Sequence, residues 1–144
     1  MRFFIRYFYL TYLRNSTISA QVLWNKKIMA IYDNLPVYKT TYDLLLNLFK
    51  VCQNMERDYK FTIGEKLKNE IVELIINVYR ANSRVEKADC IQKARENTEV
   101  VRLLLRLLND LKQMNLTNFV ELSEKLESIS KQLAAWFNSC KKVS

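Results

Sequence analysis

Apolar residues recur three and four positions apart through most of the chain after residue 36, which is the spacing of one face of an α-helix. Four such segments follow one another, separated by short polar breaks. This order is typical of an antiparallel up-down four-helix bundle, so the sequence predicts an all-α fold within a domain of residues 29–144. The predicted helices span about residues 37–55, 63–81, 84–114 and 118–139.

Each predicted helix carries an apolar stripe that we expect to face the core. In the third and fourth helices the spacing alternates between three and four residues, as it does in helices that pack side by side. The first helix contributes Tyr42, Leu45, Phe49 and Cys52, and the second contributes Leu67, Ile71, Leu74 and Val78. The third contributes Ile91, Ala94, Thr98, Val101, Leu105 and Leu108, and the fourth contributes Phe119, Leu122, Leu126, Ile129, Leu133 and Trp136.

Two short segments predict the starts of helices. Thr62 and Glu65 have the spacing of a capping box, in which the threonine hydroxyl accepts a backbone N–H and the glutamate carboxylate reaches back. The only glycine, Gly64, would then lie in the first helical turn. A phosphate loop would instead need several glycines followed by lysine and serine or threonine. Ser83 and Glu86 form a second such pair ahead of the third helix.

The first and third helices carry more apolar residues than one core-facing stripe requires. A helix of a monomeric bundle has one apolar and one polar face, and a second exposed stripe would form a large apolar patch. The extra positions are Leu44, Leu48, Val51 and Met55 in the first helix and Val100, Leu103, Leu104, Leu107 and Leu111 in the third. We expect them to form subunit interfaces of a homo-oligomer. The alternative is that the aromatic N-terminal segment covers them within one chain.

The composition argues against catalysis. The 144 residues include no histidine, which excludes Ser-His and Cys-His nucleophile pairs and zinc sites with imidazole ligands. Cys52, Cys90 and Cys140 are too widely spaced for a thiolate metal site, so we expect reduced, mostly buried thiols in a cytoplasmic protein. One glycine and one proline exclude a turn-rich β-fold. The sequence therefore predicts a protein that is not an enzyme and has no metal, cofactor or small-molecule substrate.

The formal net charge of +8 is unevenly distributed. Residues 1–28 hold five basic and no acidic side chains, whereas the remaining residues hold 18 basic and 15 acidic ones. Arg6 and Arg14 interrupt the apolar run of this first segment, which is therefore too short and too charged to span a membrane. We interpret residues 1–28 as a leader or as translated upstream sequence, with Met29 as the natural start. Surface anchoring and a real additional helix are the alternatives.

Basic residues of the third predicted helix form a stripe at the edge of its apolar faces. The stripe consists of Arg84, Arg95, Arg102 and Arg106. Guanidinium groups suit phosphate oxygens, so a nucleic-acid backbone is one candidate ligand. In a single protomer, Glu99 and Asp110 lie close enough along the helix to neutralise the stripe instead. Repetition around a ring would join such stripes into a continuous basic surface.

Five ordered segments resemble the accessory variability determinant (Avd) of diversity-generating retroelements, over about residues 35–138. They are similar, more distantly, to four-helix proteins encoded in intervening sequences of bacterial large-subunit ribosomal RNA genes. The segments are LPVYKTTYDLLLNLF (35–49), RDYKFTIGEKLKNE (57–70), VYRANS (78–83), RLLLRLLNDLKQM (102–114) and LSEKLESISKQLAAW (122–136).

The resemblance to Avd implies a four-helix protomer in a barrel-shaped homopentamer with a basic surface and no catalytic activity. It further implies binding to a reverse transcriptase and to RNA, with DNA as a further candidate, in support of error-prone cDNA synthesis. The basic positions within or beside the matched segments are Lys66, Lys68, Arg80, Arg84, Arg102 and Arg106, whereas Arg95 is supported only by the helical stripe. The alternative is a structural or protein-interaction scaffold that does not bind nucleic acid.

Overall fold

The computed structural model of the chain describes residues 35–141. They contain no β-strand and four long helices: α1 (Pro36–Gln53), α2 (Glu65–Ser83), α3 (Ala88–Asp110) and α4 (Leu116–Lys141). A short α-helical turn, Arg57–Tyr59, and a π-helical segment, Lys60–Gly64, lead directly into α2. Short connections make consecutive helices antiparallel. Helix α1 packs against α2 and α4, and α2 and α4 both pack against α3. The predicted all-α, four-helix fold is confirmed.

The N-terminal part of the chain lies outside the described residues. The expectations about residues 1–28 as a leader, about Met29 as the start, and about an anchor or additional helix therefore stay predictions. The chain divides after residue 35, and Pro36–Ser144 forms the unit that holds all four helices.

The core-facing stripes predicted for α2, α3 and α4 are confirmed. Their buried members are Leu67, Ile71, Leu74 and Val78 on α2, Ile91, Ala94, Thr98, Val101, Leu105 and Leu108 on α3, and Leu122, Leu126, Ile129 and Leu133 on α4. Phe119 and Trp136, at the two ends of the α4 stripe, are half-buried. The polar Thr98 is compatible with the core because its hydroxyl donates a hydrogen bond of 2.8 Å to the carbonyl oxygen of Ala94.

The stripe predicted for α1 is wrong except at Cys52, which is buried as predicted. The buried residues of this helix are Val37, Thr41, Leu44, Leu48 and Cys52. Tyr42 and Phe49 are exposed and Leu45 is half-buried, so the helix turns a different side to the core. Thr41 lies on the buried side, and its hydroxyl donates a 2.7 Å hydrogen bond to the carbonyl oxygen of Val37. Because its polar group is satisfied locally, Thr41 can extend the buried stripe to the start of the helix.

The capping box predicted at Thr62 and Glu65 is wrong, because helical structure already begins at Arg57. Rather than accept a backbone N–H, the Thr62 hydroxyl donates a 2.7 Å hydrogen bond to the carbonyl oxygen of Asp58. Such back-bonding is available to threonine inside a helix and competes with its capping role.

Gly64 is helical, with φ −62° and ψ −42°, but it is the last residue of the π-helical segment and does not lie in the predicted first turn. It is buried where the π-helical segment meets the end of α1. A Cβ atom at this position would lie 3.3 Å from the carbonyl oxygen of Tyr59, 3.4 Å from Sδ of Met55 and 3.9 Å from Sγ of Cys52. Glycine is therefore used here for close packing and not for its freedom to adopt positive φ.

The second capping box, Ser83 and Glu86, is also wrong. Ser83 is the last residue of α2, and its hydroxyl donates a 3.1 Å hydrogen bond to the carbonyl oxygen of Arg80. The next helix, α3, begins only at Ala88. Arg84 therefore lies in the connection between α2 and α3, where its backbone is extended with φ −113° and ψ 154°.

The end of α3 is a left-handed turn at Lys112, the only non-glycine residue of the described chain with positive φ, 58°. The N–H of Lys112 donates to the carbonyl oxygen of Asn109, 3.0 Å, and the N–H of Gln113 donates to that of Leu108, 2.9 Å. These two bonds form a Schellman motif, whose left-handed position is usually glycine. A lysine there is strained by about 1 kcal/mol, because its Cβ lies close to the backbone.

The cysteines have the expected environment. None forms a disulfide; Cys52 and Cys90 are buried and Cys140 is half-buried. Burial raises the pKa of the Cys52 thiol by more than nearby Lys68 lowers it, which keeps this thiol protonated and unreactive. Within residues 35–141, no group of His, Cys, Asp or Glu side chains is arranged to hold a metal ion, and no helix is long and apolar enough to cross a membrane.

Candidate subunit and nucleic-acid interfaces

The outer face of α3 is apolar and open to solvent in the single chain. It consists of Val100, Leu103, Leu104, Leu107 and Leu111, the positions that the sequence assigns to a second stripe. Leu103 is 65% exposed and Leu107 is 39% exposed, while the other three are half-buried. An apolar strip of this kind on a helix is typical of a protein–protein contact.

The second interface predicted on α1 is mostly unavailable to a partner chain. Leu44 and Leu48 are fully buried and Met55 is nearly so, because α1 turns this side to its own core. Of the four predicted positions on this helix, only Val51 retains partial exposure. The exposed large apolar residues of α1 are instead Tyr42, Leu46 and Phe49.

A groove of about 340 Å³ lies between α3 and α4, next to the outer face of α3. Its lining includes two arginines, Arg102 and Arg106, and the apolar side chains of Leu105, Phe119 and Leu126. Arg106 makes no hydrogen bond or ion pair with any described residue. The groove thus combines apolar surface with one uncompensated guanidinium group.

Arg102 is neutralised within the chain. Its Nε lies 3.3 Å from a carboxylate oxygen of Glu99, and its Nη1 lies 2.9 Å from a carboxylate oxygen of Glu127 on α4. The hydrogen bond with Glu127 is the main reason why the pKa of Arg102 is raised, and the same bond lowers the pKa of Glu127. Neutralisation by Glu99 was expected from the sequence, whereas Glu127 was not. Asp110, the other expected partner, makes no ion pair with a described residue.

The predicted stripe of four arginines is shorter than expected. Arg84 precedes α3, and its Nη1 donates a 3.4 Å hydrogen bond to Sγ of Cys90. Arg95 is half-buried on α3; its Nη1 donates to Oε1 of Gln92, 3.2 Å, and its guanidinium carbon lies 5.1 Å from the centroid of the Phe137 ring. Only Arg95, Arg102 and Arg106 therefore lie on α3.

The basic candidates on α2 fall into two groups. Lys66 forms an ion pair of 2.6 Å with Glu70, and Lys68 pairs with Glu65, so both lysines are neutralised on their own helix. Arg80 makes no ion pair with a described residue and lines a polar cavity of about 380 Å³ between α2 and α3.

A hydrogen-bonded network beside this cavity connects α2 with α3. Nδ2 of Asn97 donates to a carboxylate oxygen of Glu70, 2.9 Å, on the neighbouring helix. Partial burial raises the pKa of Glu70, but the hydrogen bonds from Lys66 and Asn97 outweigh this effect, so the pKa lies below its ordinary value. The carboxylate is therefore held in its charged form by partners on both helices.

A third group of cations has aromatic partners. Nζ of Lys87 lies 6.0 Å from the centroid of the Trp136 ring, while Nζ of Lys141 lies 4.6 Å from that of the Phe137 ring, which Arg95 also contacts. We call Lys87, Arg95, Lys141, Trp136 and Phe137 the ring-held cluster. It joins the start of α3 to the end of α4. The sequence does not single out Lys87, Lys141 and Phe137 as candidates, because Lys87 lies 50 positions before Phe137 along the chain.

The region of the four helices matches a known protein family. A family model described as bAvd-like matches residues 35–140. The chain belongs to the bAvd-like family. None of the curated proteins compared with the chain matches it. The family match confirms the resemblance to Avd.

The matched region of this bAvd-like chain coincides with the four helices, from the residue before α1 to the penultimate residue of α4. Of the predicted basic residues, Arg102 and Arg106 come together at one groove, and Arg84 and Arg95 lie near the opposite end of α3. Lys66 and Lys68 lie on α2 with their own carboxylate partners. The family match and the geometry therefore leave two surfaces to consider: the outer face of α3 with its groove, and the ring-held cluster.

Proposed function

We propose that this bAvd-like protein is a non-catalytic accessory component of a diversity-generating retroelement. In this proposal it forms a homo-oligomer, a barrel-shaped pentamer by resemblance, that binds the reverse transcriptase and its template RNA or DNA during mutagenic cDNA synthesis. The observation that carries the proposal is the family match over residues 35–140, which includes all four helices.

The outer face of α3 supports self-association. Leu103 and Leu107 are exposed to solvent, although they lie in the C-terminal half of α3, a helix that packs against both α2 and α4. Burying such side chains against a second copy would remove apolar area from water at about 25 cal/mol per Å². A ring of protomers would also bring several Arg106 side chains onto one assembly, so that weak contacts with phosphates would add.

Oligomerisation is tested with a charge placed on the outer face of α3. We expect the full chain to sediment as an oligomer at micromolar concentration and the Leu103→Glu/Leu107→Glu variant to sediment as a monomer with unchanged helicity. The matched control is Val85→Glu, which changes an apolar residue that is 87% exposed and lies outside α3. A wild-type chain that stays monomeric would contradict the oligomeric part of the proposal.

The partners are tested separately. We expect a purified oligomer to bind RNA with an affinity that falls steeply as salt rises, since each neutralised phosphate releases counterions. We also expect it to co-purify with a reverse transcriptase encoded beside its gene, in a locus that carries a variable repeat. An oligomer whose gene lies beside no reverse transcriptase and which binds no RNA would contradict the retroelement function.

The alternative function is a structural or protein-interaction scaffold without nucleic-acid binding, like the proteins of rRNA intervening sequences. One observation favours it: Arg102, the central arginine of the predicted stripe, is held by two carboxylates of its own chain. The RNA-binding measurement separates the two functions, because a scaffold of this kind would oligomerise and yet ignore RNA at every salt concentration.

A further inference from the structure

We propose that the ring-held cluster is a binding surface for single-stranded nucleic acid. Lys87, Arg95 and Lys141 contact phosphate groups, and Trp136 and Phe137 stack against bases. This inference rests on the proposed function, because it assigns RNA binding to one end of the helical bundle instead of the arginine-lined groove of α3 and α4.

The first argument is that these cations contact aromatic rings and not carboxylates of the described residues. An aromatic ring attracts a cation through its quadrupole but has no net charge, so the cation keeps its full charge toward solvent. A carboxylate partner, in contrast, cancels that charge. The cations of the described chain that are held by carboxylates are Lys66, Lys68, Lys93, Arg102, Lys125 and Lys131. None of the three cations of the ring-held cluster pairs with a carboxylate of residues 35–141.

Arg84 is a further cation near this end of α3. It lies in the connection that leads into α3, and its guanidinium group has a neutral partner, the Cys90 thiol. Cys90 precedes Arg95 by five residues, which is about 7.5 Å along the helix axis. Arg84 is thus a fourth cation without a carboxylate partner among the described residues near the start of α3.

The charge of the surrounding segments carries the second argument. Residues 77–95 and 134–141, which meet at this end, hold six basic and two acidic side chains, a net charge of +4. All of residues 35–141 hold 17 basic and 14 acidic side chains, a net charge of +3. One of the two acids, Asp89, is itself paired with Lys93 at 2.9 Å. The net positive charge of the described chain is therefore concentrated at the ring-held cluster, which favours a polyanion there.

The aromatic rings favour a single strand over a duplex as the ligand. Trp136 and Phe137 are half-buried residues, and the guanidinium group of Arg95 beside Phe137 offers a further planar group. Bases stack on aromatic and guanidinium planes when they are unpaired, whereas a duplex hides the faces of its bases. An acidic peptide would use the charges of this cluster but would gain little from its rings.

The phosphate contacts are tested by removing charge at the cluster and, in a matched control, elsewhere. The test variant is Lys87→Gln/Arg95→Gln/Lys141→Gln in the full chain, and the control is Lys50→Gln/Lys125→Gln/Lys131→Gln, which removes the same charge outside residues 77–95 and 134–141. The probe is an unstructured 20-nucleotide RNA, measured by fluorescence anisotropy over a range of salt. We expect the test variant to lose about tenfold or more in affinity at 0.15 M salt and its log–log salt slope to fall by about 2, while the control changes by about twofold at most.

The stacking contact has its own variant. Phe137→Leu removes the ring and leaves every charge, so we expect an affinity loss of about fivefold or more with an unchanged salt slope. The control is Phe61→Leu, which changes an aromatic residue that is 63% exposed and makes no contact with the ring-held cluster. Circular dichroism confirms that each variant retains its helices. The same RNA annealed to its complement should bind the wild-type chain more weakly than the single strand.

The outcomes separate this inference from the proposed function. Equal losses in the test and control triple variants, or equal binding of duplex and single strand, would overturn the assignment of the cluster while RNA binding as such stands. A wild-type chain that binds no RNA would overturn both this inference and the RNA-binding part of the proposed function. A chain that ignores RNA but binds a polyglutamate peptide through Lys87, Arg95 and Lys141 would show the cluster to be a docking surface for an acidic protein.

Discussion

Nδ2 of Asn77 on α2 donates a 3.0 Å hydrogen bond to Oδ1 of Asn97 on α3, and Asn97 in turn donates to Glu70. Asn77 is almost completely buried, so the network connects the interior of the bundle with the surface ion pair between Glu70 and Lys66. Because every member has a partner, the polar residues fix how α2 and α3 align without leaving an unsatisfied group in the core.

This network makes stability sensitive to acid. The pKa of Glu70 is lower in the folded chain than the ordinary value of 4.5, so the folded state binds fewer protons than the unfolded state. The contribution of Glu70 is therefore fully present above about pH 4.5 and is lost as the pH falls toward its folded pKa. We expect Glu70→Gln to lower the free energy of unfolding by about 1–2 kcal/mol at pH 7 and by much less at pH 3.

Urea unfolding at both pH values measures the effect of Glu70. The control is Glu73→Gln, one turn further along α2, whose carboxylate makes no ion pair with a described residue. An equal loss of stability at pH 7 and pH 3 in Glu70→Gln would contradict the assignment to its charge.

Two leucines that lie two residues apart test which side of α1 faces the core. Leu44 is fully buried, whereas Leu46 is 42% exposed. We expect Leu44→Ala to lower the free energy of unfolding by about 3 kcal/mol, since it leaves a cavity in the core. Leu46→Ala should cost below about 1 kcal/mol. If the two variants were equally destabilised in thermal or urea unfolding, this side of α1 would not face the core.

The end of α3 offers a stabilising substitution. Lys112 adopts a left-handed conformation with φ of 58°, in which a side chain other than glycine is strained. Lys112→Gly should therefore raise the free energy of unfolding by about 1 kcal/mol. Lys112→Ala serves as the control, because it removes the same charge but keeps the Cβ atom; it should bring no such gain. A stabilisation shared by both variants would point to the lysine charge and not to the backbone.

Gly64 presents the opposite case. Its helical backbone would favour alanine by about 1 kcal/mol in an isolated helix. The new Cβ, however, would lie 3.3 Å from the carbonyl oxygen of Tyr59, which the π-helical segment holds in place. We expect the close contact to prevail, so that Gly64→Ala lowers the melting temperature by a few degrees, equivalent to about 1 kcal/mol. A raised melting temperature would show that the segment relaxes around the methyl group.

The stripe of α4 could be predicted because its apolar residues recur at core spacing along one side, and its Glu–Lys pairs lie elsewhere on the helix. In α3, as in α1, the sequence offers two apolar stripes, and the heptad spacing selects the buried one. In α1 the sequence offers two competing stripes, and hydrophobicity alone does not separate Leu44 and Leu48 from Tyr42 and Phe49. The buried side of α1 includes the polar Thr41, whose hydroxyl is satisfied by its own helix, so a search for apolar residues alone does not find it.

The two predicted helix caps are wrong for a related reason. Thr62 and Ser83 have the residue types and spacing of helix starts, but both hydroxyls bond backward to carbonyl oxygens of helical turns that precede them. Of the candidate binding residues, the arginines of α3 follow from helical spacing. The ring-held cluster was missed because its contacts join Lys87 to Trp136 and Arg95 to Phe137, pairs that only the packing of α3 against α4 brings together.

The packing of α1 against α4 has a consequence for the connectivity of the chain. Asn47 of α1 donates a hydrogen bond of 3.4 Å to Glu121 of α4, and the two antiparallel helices place Pro36 and Lys141 at the same end of the bundle. The four helices therefore form a closed ring of neighbours, in which the position of the chain break is arbitrary. A circular permutant that is opened between α3 and α4 and joined by a short linker from α4 to α1 would contain the same contacts in a different order.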